Sequence, residues 1–155
     1  MNAAAEERIP LPKGKVRVVL DTDTYNEIDD QYAVAYAMLS PSSMTVEAIY
    51  AAPYLNRRSA SSGDGMEKSY DEILRVLDRI GKTGAVKVLK GSSRFIKEAG
   101  KPVDSPAARD LIERALAADE MLYVPTVGAP TNVASALRIE PKIKDKITVV
   151  WLGGR

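Results

Sequence analysis

An α/β fold, with a mostly parallel sheet and helices on both of its faces, is what this sequence predicts. Three features carry the prediction. Short β-branched runs alternate with amphipathic helical stretches along the chain, the order that builds parallel sheets. The turns between them hold Gly, Pro, Ser and Asn, residues that end regular structure. At 155 residues and 45% hydrophobic content, the chain is long enough to bury one core.

The elements follow in order. Residues 1–13 lack the apolar segment of a signal peptide and read as a flexible leader, leaving 14–155 as part of a single domain. Val16-Arg-Val-Val-Leu20 is short and β-branched, which predicts a buried strand. Tyr32, Ala33, Tyr36, Ala37 and Leu39 lie at helical spacing, and Ser40-Pro41 stops that helix. Asp29 or Asp30 is placed to cap it. Residues 45–52 alternate and then turn apolar, giving a second strand. The stretch 53–65 is polar and aperiodic, a loop of the length that often lines sites. Met66, Tyr70, Ile73, Leu74, Leu77 and Ile80 predict an amphipathic helix ending at Gly81. Residues 86–89 form a third strand, and 91–102 are irregular. Ser105 caps a helix to about Ala118. Residues 122–127 form a fourth strand, and after the turn Gly128-Ala-Pro-Thr131 the next helix is capped by Thr131 and ended by Pro141. Residues 147–152 form a fifth, buried strand.

Composition excludes several classes. The net charge of +1 gives no electrostatic case for nucleic acid or a membrane surface. No apolar run reaches the length of a membrane span. Without cysteine there is no disulfide and no thiolate metal site, which is consistent with a reducing, cytoplasmic setting. Without histidine no imidazole of this chain acts as acid, base or ligand.

Chemistry concentrates in Asp21-Thr-Asp-Thr-Tyr-Asn-Glu-Ile-Asp-Asp30. Five of these ten residues are acidic, against 21 acids in the whole chain. Carboxylates crowded this closely repel unless a positive charge sits among them, and a hard cation with oxygen ligands is the simplest such charge. The bland alternative is a solvated loop with a helix cap, acids near a helix N-terminus being stabilised by its dipole. It leaves Asp21 and Asp23, at a strand end, unexplained. An EF-hand is excluded, because the sixth position is not Gly and the twelfth is Tyr32. In a parallel sheet, ligands bind at the carboxyl ends of the strands. The acidic loop, the Asn56 loop, the Val127-Gly128 turn and Gly153-Gly154 all fall at such ends.

Two family resemblances compete for this loop. An apolar strand followed by Asp21, Asp23 and Thr24 resembles the first motif of the haloacid dehalogenase-type phosphatases. There Asp21 would be the nucleophile, Asp23 the acid/base and magnesium the cofactor. No later strand end supplies the acidic pair that family needs.

The second resemblance covers about residues 16–155. Asp-x-Asp-(x)5-Asp-Asp after the first strand is similar to the inosine-uridine-preferring nucleoside hydrolase family. So are Ala48-Ile-Tyr-Ala-Ala-Pro-Tyr-Leu-Asn56, Gly65-Met-Glu-Lys-Ser-Tyr70, Val127-Gly-Ala-Pro-Thr-Asn132 and Val150-Trp-Leu-Gly-Gly154, in that family's order. The loop from Thr24 to Ile28 is longer than in many members. The resemblance implies a Rossmann-like sheet and calcium-dependent hydrolysis of the N-glycosidic bond of a ribonucleoside. It implies Asp23 as calcium ligand and base, Asp30 and the Val127 carbonyl as further ligands, and Asp29 and Asn56 on the ribose hydroxyls. It also implies backbone near the sugar at Leu152, and Asp21 reads as orienting the loop from behind, with a direct ligand role the alternative. Family members are about twice this length, so the chain reads as the N-terminal part of such a domain, apparently truncated. It is expected to work as a homo-oligomer or with a missing C-terminal half, or to be a non-catalytic cation-binding half-domain. Tyr25 and Tyr54 are open to stacking on the leaving base or to plain packing. Arg57 and Arg58 read as surface contacts, and no acid for the leaving base is evident.

Overall fold

The computed structural model describes residues 12–96 and 100–153. Nearly all of the expected leader, and Gly154 at the expected Gly-Gly terminus, lie outside the described residues. Five strands form one sheet: β1 (Val16–Thr22), β2 (Met44–Ala51), β3 (Lys87–Lys90), β4 (Leu122–Thr126) and β5 (Ile147–Trp151). Their order is β3-β2-β1-β4-β5 and every pairing is parallel. The chain runs outward from β1 to β3, then returns to the other side of β1 for β4. The reversal leaves a crevice at the carboxyl ends of β1 and β4, where open α/β sheets bind ligands.

Helices cover both faces, as the alternation predicts. On one face α1 (Ile28–Met38) and α2 (Ser62–Arg79) close a core of Leu20, Val34, Ile49, Met66, Ile73 and Leu77. On the other, α3 (Pro106–Leu116) and α4 (Thr131–Ile139) pack against Val19, Tyr50, Leu111, Leu122, Val124 and Ile143. Ser105 caps α3, its hydroxyl accepting from the Ala108 N–H at 3.2 Å, and Pro106 supplies the preset first turn.

Several local expectations are corrected. Neither Asp29 nor Asp30 caps α1: Glu27 occupies the cap without a side-chain bond, and both aspartates lie in the first turn, where the helix dipole favours them. Thr131 is the first residue of α4, after Pro130. Ser61 caps α2, so the preceding loop is shorter than 53–65. The buried face of α1 is Asp30, Val34 and Ala37, while Tyr32, Tyr36 and Leu39 point outward. β5 is an edge strand rather than a buried one, with Val149, Val150 and Trp151 exposed.

A polar network ties α3 to three strands. Arg17 on β1 donates to Glu47 on β2 at 2.6 Å and to the Arg114 carbonyl at 3.0 Å. Asp110 on α3 accepts from Tyr50 (2.7 Å), Lys87 (2.7 Å) and Arg114 (2.5 Å). Burial alone would raise the Asp110 carboxyl, but these three donors outweigh it and hold it below the usual range.

Candidate cation and sugar site

The acidic loop closes over the crevice beside β1 and β4. Asp21 lies within β1, paired in register with Thr126 on β4 and Tyr50 on β2. Its backbone carbonyl accepts from the Val127 N–H at 2.9 Å, and the Thr22 carbonyl accepts from Ala52 at 2.8 Å. The strand ends are therefore stitched together just where the loop departs. Asn26 N–H donates to the Asp23 carbonyl at 2.7 Å, a tight turn that reverses the chain toward α1.

A cavity of about 360 Å³ opens there. It is lined by Asp23, Asp29 and Asp30 from the loop, Val127 and Gly128 after β4, and Trp151 and Leu152 at the end of β5. Glu27 adds a fourth acid, and among the described residues no basic side chain lines the cavity. A groove between α1 and α2 is lined by Ile28, Gln31, Tyr32, Val76 and Arg79, and its one acid, Glu72, is already paired with Arg75. It has no convergent polar set.

Asp23 and Asp30 are each 5% exposed, and Asp21 is fully buried. Among the described residues none of the three meets a Lys or Arg. Burial, then the neighbouring Asp30 charge, pushes the Asp23 carboxyl up to about 7, against a smaller pull from Asn26. Burial raises Asp30 to about 6, opposed by the Thr22 hydroxyl, which donates at 2.6 Å. Burial likewise lifts Asp21 to about 7, opposed by Asn132, whose amide donates at 2.8 Å. The second oxygen of Asp21 is buried with no partner.

Each expected site residue has a definite place. Asp23, Asp30, Asp29, Val127 and Leu152 share the cavity; Asp29 and Leu152 are exposed. Asn56 stands at its edge, linked to it through Asn26. Asp21 sits behind the loop, turned to Asn132. A carboxylate this enclosed cannot attack a substrate, which removes the ground for the phosphatase reading. Sequence reasoning missed three residues. Asn26 and Asn132 are ordinary loop and turn residues by type, and only their partners distinguish them. Gly128 is the third: a Cβ there would stand 2.8 Å from the Asp23 Cγ.

The donor set suits a hard cation. All side-chain donors are oxygens, they outnumber any neutralising charge, and two of them are buried. Among the described residues no three acidic side chains stand close enough to form a complete cage. The chain thus offers two buried carboxylates and backbone, leaving positions for other oxygens.

The sequence profile of a family described as inosine-uridine preferring nucleoside hydrolase matches residues 18–155. The chain belongs to that family. Probable uridine nucleosidase 2 of Arabidopsis thaliana is 26% identical over 158 residues, aligned with 89% of this chain and 47% of its own. A purine-preferring ribonucleoside hydrolase from Gardnerella vaginalis superposes with a TM-score of 0.70 at 28% identity, covering 90% of this chain and 49% of that one. A plant nucleoside hydrolase superposes with a TM-score of 0.69 at 21% identity, covering 90% and 48%, and shows the shared fold. The chain spans about half the length of these nucleoside hydrolase relatives.

Proposed function

We propose that this chain supplies the cation- and ribose-binding part of a calcium-dependent enzyme that hydrolyses the N-glycosidic bond of ribonucleosides. The observation that carries the reading is the pair Asp23 and Asp30, buried together in one cavity with no cationic side chain among the described residues to balance them.

Asp23, Asp30 and the Val127 carbonyl would hold the ion. When bound, calcium would lower the pKa of a water beside it. The Asp23 carboxylate would serve as the base that takes a proton from the attacking water. Asp29 and Asn56 hydrogen-bond the ribose hydroxyls, and backbone at Leu152 borders the sugar. The ribose gains cationic character as the bond to the base breaks, and the fixed carboxylates around it stabilise that charge. Asp21, gripped by Asn132, keeps the β1 end and hence Asp23 in place. The reading extends to a cytoplasmic protein that works with further polypeptide, as a homo-oligomer or with a second half. The absence of cysteine supports the compartment.

Isothermal titration of the chain with CaCl2 tests the ion. Weak binding is expected, because two carboxylates are fewer than a tight site supplies. Asp23→Ala should abolish it. Undiminished binding in a chain carrying both Asp23→Ala and Asp30→Ala would overturn the assignment.

A further inference from the structure

We infer that Asn26 is a positioning residue that joins the cation side of the site to the sugar side, so that the two bind cooperatively. The inference rests on the proposed function and extends it to a residue in the longer loop between Asp23 and Asp29.

All four polar groups of Asn26 are engaged. Its backbone N–H donates to the Asp23 carbonyl at 2.7 Å. Its carbonyl accepts from the Arg58 guanidinium at 2.5 Å. Its side-chain amide donates to the Asp23 carboxylate at 3.1 Å, while its side-chain oxygen accepts from the Asn56 amide at 2.6 Å. The Asn56 oxygen in turn accepts from the Arg58 backbone N–H at 2.8 Å. The direction of this chain is fixed at both ends. A carboxylate can only accept when ionised, and a backbone N–H can only donate, so both amides have one possible orientation. The asparagine amide offers a donor and an acceptor side by side. Aspartate would set a third charge against Asp23, and alanine would leave Asn56 without its partner.

Two loops from different strand ends are thereby locked to one carboxylate. Whatever fixes the Asp23 carboxylate also fixes Asn26, and through it the amide offered to the sugar. Such a coupling is reciprocal: a change at Asn56, which does not line the cavity beside the ion, must be felt in ion affinity.

The test is a double-mutant cycle read in calcium affinity, using the chain with CaCl2 in titration calorimetry and with melting midpoints as a control. Asn26→Ala and Asn56→Ala should each weaken calcium by about threefold or more, and the double variant no further than either alone, since one link is cut in all three. Melting midpoints near the parent value would show that folding is not the cause. Unchanged calcium affinity in Asn56→Ala, or effects that simply multiply in the double variant, would overturn the link while leaving the cation site standing. No calcium binding by the parent, or equal binding by Asp23→Ala, would overturn the proposed function and the link together.

Discussion

Gly128 has no room for a side chain. Its absent Cβ would lie 2.8 Å from the Asp23 Cγ, 2.9 Å from one carboxylate oxygen and 3.1 Å from the Asp23 nitrogen. Part of that obstacle is backbone, so the loop must move as a whole. Gly128→Ala should destabilise the chain by about 1–3 kcal/mol and weaken calcium more than a surface Gly→Ala change. Calorimetry and thermal melts on the same variant check both, and parent-like values would mean the loop yields freely. At this scale the sequence was half legible. Acid density pointed to Asp23 and Asp30 because like charges must be balanced. Asn26, Asn132 and Gly128 matter through what they touch across 30 to 111 positions of chain, and residue type does not reveal that.

The network from Arg17 to Lys87 works at the level of elements. It spans β1, β2, β3 and α3 from the face opposite α1 and α2. Removing the shared acceptor leaves the buried Tyr50 hydroxyl without its partner and Arg114 with Glu47 alone. Asp110→Ala is therefore expected to cost about 3 kcal/mol. Tyr50→Phe leaves Asp110 its two cationic partners and should cost about 1 kcal/mol. Urea denaturation of the two variants checks the ranking, and equal losses would assign the effect to packing. Elements themselves were largely legible, since period and breakers act locally: all five strands and four helices fall within a few residues of their expected spans. What the pattern did not give was the face. The stripe of Tyr32, Tyr36 and Leu39 has helical spacing, yet α1 turns Asp30, Val34 and Ala37 inward, a second stripe at the same spacing. In the same way, a β-branched run does not say whether its strand ends up central or, like β5, at an edge.

For the whole molecule the site is a source of instability that an ion bound as proposed would relieve. Asp21, Asp23 and Asp30 hold protons in the fold to about 7, 7 and 6, against an ordinary value of 3.8. A carboxyl raised on folding binds more protons in the native state than in the unfolded one. Stability therefore falls as pH rises between roughly 4 and 7. The ion-free chain should melt at a lower temperature at pH 8 than at pH 5.5, and excess calcium should restore the midpoint at pH 8. Scanning calorimetry with EDTA or CaCl2 reads this directly; a midpoint indifferent to pH would show that the three carboxyls are already compensated. No described helix is long and apolar enough to cross a membrane.

Trp151 is the chain's one tryptophan, and it stands in the cavity wall with its indole N–H donating to the Gly128 carbonyl at 3.2 Å. The protein therefore carries a native fluorophore beside its own site. Events among the carboxylates can be watched through a single, unambiguous emission signal, with no label attached and no competing indole elsewhere in the fold.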